Sequence, residues 1–220
     1  MRIRALHPLT LLLAASCGGG LKYTIDDSAI DSASTSDRQG VFNAKNEVEI
    51  AKSEQRTADS QLDAWDRDRA VAKKEKEQAD LEVEKAATEM ESANASHNEN
   101  QANAARHGKE AAAAGVRAAE AKLDWLDQKK DWLKANKQAA EAHRQAAEAK
   151  VELEKAQVAK AKGIKPSDEF SVGNYESQWK DKNGDWEDAK KDASKLESKA
   201  KDKEKKWQDA VDQQKKISGG

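Results

Sequence analysis

The sequence predicts an all-α protein, an elongated antiparallel three-helix coiled-coil bundle. Three observations carry that prediction. The stretch from Val41 to Ala93 keeps an unbroken three–four repeat, and one of its two columns reads alanine at 44, 51, 58, 72, 79, 86 and 93, with Trp65 as the exception. Such a repeat marks a long helix packed along another helix. No Gly or Pro interrupts the chain between Gly40 and Gly108. Charged residues make up 36% of the 220 residues and aromatics 5%, with a mean hydropathy of −1.02. That composition suits long helices better than a globule with a thick core. A disordered polar chain would have no reason to hold one phase over seven heptads.

Taken in order, the chain begins MRIRALHPLTLLLAASCGGG. Arg2 and Arg4 precede a short apolar run, Leu9 to Ala15, and small residues lead to Cys17. The run is too short for a stable membrane span and reads as a secretory signal over residues 1–16. It resembles a bacterial lipoprotein signal peptide, with Leu13 four residues and Ala14 three residues before Cys17. The resemblance implies cleavage before Cys17 and lipid modification, palmitate included, of that residue. Cys17 is the only cysteine, so it has no disulfide partner within the chain. Several acyl chains anchor a protein durably where one is marginal. Gly18 in place of Asp implies outer-membrane sorting, with the helical body in the periplasm or on the cell surface.

Residues 17–36 read as the lipidated Cys and a flexible tether, because glycines and a Ser/Asp/Thr-rich stretch carry no helical period. Within it, Leu21, Tyr23 and Ile25 alternate and could form a strand or a contact motif. Ser36 and Gln39 fit a capping box that starts a helical domain spanning 37–217. The first helix is expected over about 37–95. The Asn-rich stretch 94–108 is expected to be the turn, since Asn favours turns over helix interiors. A second helix over about 109–162 carries two adjacent apolar stripes, one of them Ala118, Trp125, Trp132, Ala139, Ala146 and Leu153, wide enough for two neighbours. Gly163 and Pro166 end it. A third helix over about 172–216 runs through Trp179, Trp186 and Trp207, and Asn183-Gly184 weakens it without breaking it.

Charge supports a hairpin. Residues 41–95 hold nine basic and fourteen acidic side chains, and residues 106–165 hold fourteen basic and nine acidic. Oppositely charged rods of similar length are natural antiparallel partners. The alternative is one very long helix plus a shorter C-terminal helix, because the first seam continues in phase past residue 93. Folded back, Trp207 falls level with Trp125, Trp186 near Ala147, and Trp65 near His143. Trp65, Trp125, Trp132, Trp179, Trp186 and Trp207 are thus candidates for a partner surface or for layers of a thin core.

Reactive chemistry is not legible. His97, His107 and His143 lack the spacing of metal ligands. Asp181, Asn183 and Asp185 have the oxygen spacing of a calcium loop, but Trp186 stands where that loop needs glycine and Asp192 where it needs glutamate. No phosphate-binding Gly-rich loop occurs, and no enzyme, cofactor or small-molecule substrate is predicted. A net charge of −2 gives no basic surplus for nucleic acid. The function expected is that of an outer-membrane-anchored helical lipoprotein, a structural spacer or protein-docking rod meeting an envelope partner or itself. In outline it looks like envelope coiled-coil lipoproteins, although the C-terminal KKISGG lacks the terminal Lys that the Braun type links to peptidoglycan. The alternative is a periplasmic chaperone-like hairpin gripping clients through its Trp faces. It departs from the jellyfish type of chaperone in being near neutral and anchored.

Overall fold

The computed structural model describes residues 20–219, so the signal segment and Cys17 lie outside the described residues. Three helices follow a short 3-10 turn, Asp27–Ile30: α1 Gln39–Ala95, α2 Glu99–Ala161 and α3 Val172–Ser218. The chain folds back at each connection, which excludes the single long rod. α2 lies between the other two, and no Cα of α1 comes within 8 Å of a Cα of α3 among the described residues. The bundle is therefore open, with a groove between α1 and α3 and α2 at its floor.

The alanine column explains the α1–α2 contact. Ala44, Ala51, Ala58, Trp65, Ala72, Ala79 and Ala86 are all buried. Small side chains let the helix axes approach, and each contributes little apolar area at about 25 cal/mol per Å2. Charge then adds register: Arg69–Asp127, Lys122–Glu75, Lys129–Asp68 and Lys137–Asp59 cross this interface, and Lys162–Asp37 ties the segment before α1 to the end of α2. Their exposure limits each to under about 1 kcal/mol.

The turn between α1 and α2 is much tighter than the expected 94–108. It is only Ser96–His97–Asn98. His97 takes the left-handed conformation at φ 53°, and Asn98 caps α2 by accepting the backbone N–H groups of Asn100 and Gln101. The other asparagines of this stretch stay exposed, where their weak helix propensity costs little. This earlier turn moves the register, so Trp65 sits against Leu126 and not near His143.

The start of α1 also differs from expectation. Its N-cap, Arg38, makes no side-chain cap bond, and no Ser36–Gln39 capping box forms. Asp37 accepts from the backbone and hydroxyl of Ser34 and pairs with Lys162. The Glu154 carboxylate lies so close to the first turn of α1 that a Cβ at Gly40 would overlap it. A carboxylate there complements the positive end of the helix dipole. At the end of α2, Gly163 adopts φ 70°, Ile164 N–H bonds Ala159 C=O at 2.8 Å, and Gly163 N–H bonds Lys160 C=O at 3.1 Å. That is a Schellman cap, which only glycine enters without strain. α3 runs unbroken through Asn183 and Gly184.

Candidate functional site

Residues 20–38 are not a free tether. They form a strap laid on the loop end of the bundle, with Ile25, Ile30 and Ala33 at 2–4% exposure. Ile30 and Ala33 join Val41, Val48, Val151 and Val158 in one cluster, and Ile25 joins Leu153, Ala156 and Tyr175 in another. The alternation at 21, 23 and 25 thus serves as a contact motif. No strand forms there.

Polar groups lock the strap in place. The Gln178 side chain pairs with the Tyr23 backbone twice, its Oε1 accepting from N–H and its Nε2 donating to C=O, both at 2.9 Å. Ile25 N–H donates to Glu152 Oε2 at 2.5 Å. Lys155 Nζ reaches Ile25 C=O at 2.9 Å, Glu152 Oε1 at 2.8 Å and Asp27 Oδ1 at 2.7 Å. Its three protons are all engaged. Glu152 and Lys155 are 8% and 7% exposed. Burial alone would push the Lys155 ammonium down, but its bonds to Asp27 and Glu152 carry it above the ordinary lysine value. Hydrogen bonds from Lys155 and Lys45 hold Asp27 at about 2. Charges this deep persist only when paired and hydrogen-bonded. They sit on the side of α2 away from the α1–α3 groove, which is why the C-terminal half of α2 is buried nearly all round.

The six tryptophans lie along the helix contacts. Trp65 is 3% exposed, and its Nε1–H donates to Leu126 C=O at 2.7 Å, with the Lys130 Nζ 4.3 Å from the ring. Trp132 packs beside it as a half-buried neighbour of Leu126 and Leu133. Trp125 stacks on Trp207 at 4.8 Å and 10°, the pairing the fold-back arithmetic predicts. Two heptads along, Ala139 meets Ala193. Trp186 stacks on His143 at 4.2 Å, one turn from the expected Ala147. Trp179 packs into the strap cluster beneath the Lys150 ammonium.

His143 had no distinguishing signal in the sequence, yet it ties all three helices together. It is 6% exposed, with Nδ1 2.7 Å from Glu54 and Nε2 3.2 Å from Glu47 on α1, and its ring lies on Trp186 of α3. The two carboxylates of α1 face opposite ring nitrogens and the Trp186 ring of α3 covers the imidazole face, so the side chain is a polar hub joining the three helices. His97 lies in the turn and His107 is exposed. Among the described residues no group of three His, Cys, Asp or Glu side chains is arranged to hold a metal. Asp181, Asn183 and Asp185 lie on continuous helix and cannot wrap around an ion. Beside the hub the groove widens to about 620 Å3 between Ile50 and Thr57 of α1 and Trp186 and Lys190 of α3. No helix among the described residues is long and apolar enough to cross a membrane.

Set against protein-family models, curated proteins and solved structures, the chain matches none.

Proposed function

We propose that the protein is a lipid-anchored helical strut of the bacterial envelope, attached through Cys17 and acting as a spacer or docking rod in the outer membrane. The observation that carries this reading is the clamped strap. The lipoprotein-type signal read from the sequence ends just before Cys17, and six residues after that cysteine the chain is fastened to the body, first at Tyr23 and then by the Ile25 and Lys155 bonds. An anchor joined so directly to a stiff body suits a device that holds something at a set distance. α2 alone, at 63 residues, spans about 95 Å. The tryptophan faces that a gripping hairpin would need are occupied between helices, which favours the strut over the chaperone-like alternative.

The test is metabolic labelling with a palmitate analogue in a Gram-negative host, followed by membrane fractionation. The wild-type chain takes up label and sediments with outer membranes, and the Cys17→Ser chain does neither. Label-free wild type, or a Cys17→Ser chain that still sediments with membranes, would overturn the reading.

A further inference from the structure

We propose that the groove between α1 and α3 is the docking site of this rod. Its occupant is one amphipathic α-helix of another protein, basic toward the α1–α2 turn and acidic toward the strap. The inference rests on the docking-rod part of the proposed function and does not need the lipid. The backbones of α1 and α3 each pack on α2 and stay apart from one another among the described residues, so three positions of a four-helix bundle are filled and one is open. The open position runs from Ile50 to Glu82, about 48 Å at 1.5 Å per residue. It widens to about 620 Å3 beside Trp186 and to about 300 Å3 beside Trp207. Ala118 and Ala139 line its floor, small enough for a fourth backbone to approach. On its α1 rim, Ile50 is 50% exposed and Val71, three heptads on at the same position, 54%. Apolar anchors at helical spacing are what a groove offers a helix.

The charges select the occupant. Glu54 faces His143, and Asp68, Glu75 and Glu197 pair with Lys129, Lys122 and Lys201. Glu82, Glu204 and Lys190 make no ion pair among the described residues. Glu82 stands at the turn end of the groove, and Lys190, lying over the Trp186 ring, at the strap end. Glu204 shares the heptad position of Lys190 and Val211, which both line the groove. A helix with Lys or Arg in its first turns and Asp or Glu in its last, laid antiparallel to α1 and α3, meets all three charges. Its dipole then points the same way, positive end to the carboxylates.

A second copy of this chain does not supply that helix. The exposed large apolar residues Phe42, Ile50, Val71 and Leu81 all belong to α1, so α1 is the helix a second copy would offer. Over residues 41–95 it carries fourteen acidic side chains against nine basic, and it would set like charge against Glu82 and Glu204.

The test titrates the mature chain with a synthetic helix of about 30 residues, alanine and leucine on one face, lysines in its first half and glutamates in its last. Neutral-lipid nanodiscs carry the chain, empty discs are the blank, and fluorescence anisotropy of the labelled peptide reports binding. The peptide binds one to one. Glu82→Lys with Glu204→Lys weakens it about tenfold, as does Ile50→Glu with Val71→Glu. None of these four side chains is buried, so circular dichroism stays that of the wild type. Glu77→Lys with Glu84→Lys, an equal charge change on the α1 face turned from the groove, shifts binding by less than about twofold. Equal losses from the two pairs of lysine variants mean unspecific attraction and overturn the proposal. So does absence of binding at about 1 mM peptide to a fully helical chain. That failure leaves the anchored strut standing where Cys17 takes up palmitate label, whereas binding without label removes the anchor and keeps the groove. A chain that dimerises in light scattering, and becomes monomeric on Ile50→Glu with Val71→Glu, gives the groove to a second copy and overturns the foreign helix.

Discussion

Replacing Trp65 by alanine tests the energetic logic of the thin core. The column that α1 turns toward α2 is otherwise alanine, so Trp65 is the one large side chain in a seam of small ones. A buried tryptophan removes roughly 200 Å2 from water. At about 25 cal/mol per Å2 that area is worth ~5 kcal/mol as an upper bound. The cavity cannot easily collapse, because the next column residues, Ala58 and Ala72, sit a full heptad away and are too small to fill it. The Nε1–H bond to Leu126 adds about 1 kcal/mol. Trp65→Ala should therefore cost about 4 kcal/mol, within the range of about 3–5 for such truncations. Trp65→Phe should cost only about 1–2, since Leu126 C=O lies within α2 and keeps its helical partner. The assay is urea unfolding of the mature chain followed by far-UV circular dichroism, with the slope checked for constancy so that the midpoint reports stability. A loss below about 1 kcal/mol for Trp65→Ala would refute the claim that this ring holds the α1–α2 hairpin together.

Acid should release the strap before it unfolds the helices. Asp27 and Asp37 are held at about 2 in the folded protein, chiefly by Lys155 and by Lys162 respectively, against an ordinary 3.8. A depressed carboxyl contributes stability above its unfolded value and loses it as pH falls, so protection of the Ile25 amide should decline between about pH 4 and 2 while helix content persists. Gly163→Ala should cost about 1 kcal/mol, because φ 70° forces a Cβ into the left-handed region, and thermal unfolding should register it. His97→Gly should stabilise by up to about 1 kcal/mol for the converse reason, and a lowered midpoint would contradict the tight turn. Ala193→Leu should cost about 1–3 kcal/mol by forcing α3 away from Ala139, and a neutral result in the same assay would mean that α3 stands farther from α2 than described.

Much of the fold was legible because helix packing obeys a short period. Every alanine of the α1 column from 44 to 86 is buried, and Gly163 ends α2. The opposite charges of the first two helices cross-pair along their length. The turn was misjudged because asparagine is suited to turns and also tolerated on an exposed helix face. Propensity alone could not decide which asparagine would cap, and Asn98 does so through two backbone amides. That shift carried Trp65 from the level of His143 to Leu126.

The strap and the hub were decided only by tertiary structure. Residues 20–38 show no helical period, and beyond the alternation at 21, 23 and 25 their contacts have no local signal, because each partner is supplied by a distant helix: Gln178 for Tyr23, Glu152 and Lys155 for Ile25 and Asp27. His143 gains its role only when α1 brings Glu47 and Glu54 and α3 brings Trp186. A repeat along one helix determines which face is buried, since that face recurs every seven residues regardless of partner. A contact between segments 130 or 155 residues apart has no such repeat. It exists only where the fold closes the distance, and a polar group buried there is stabilised by partners that local sequence does not contain.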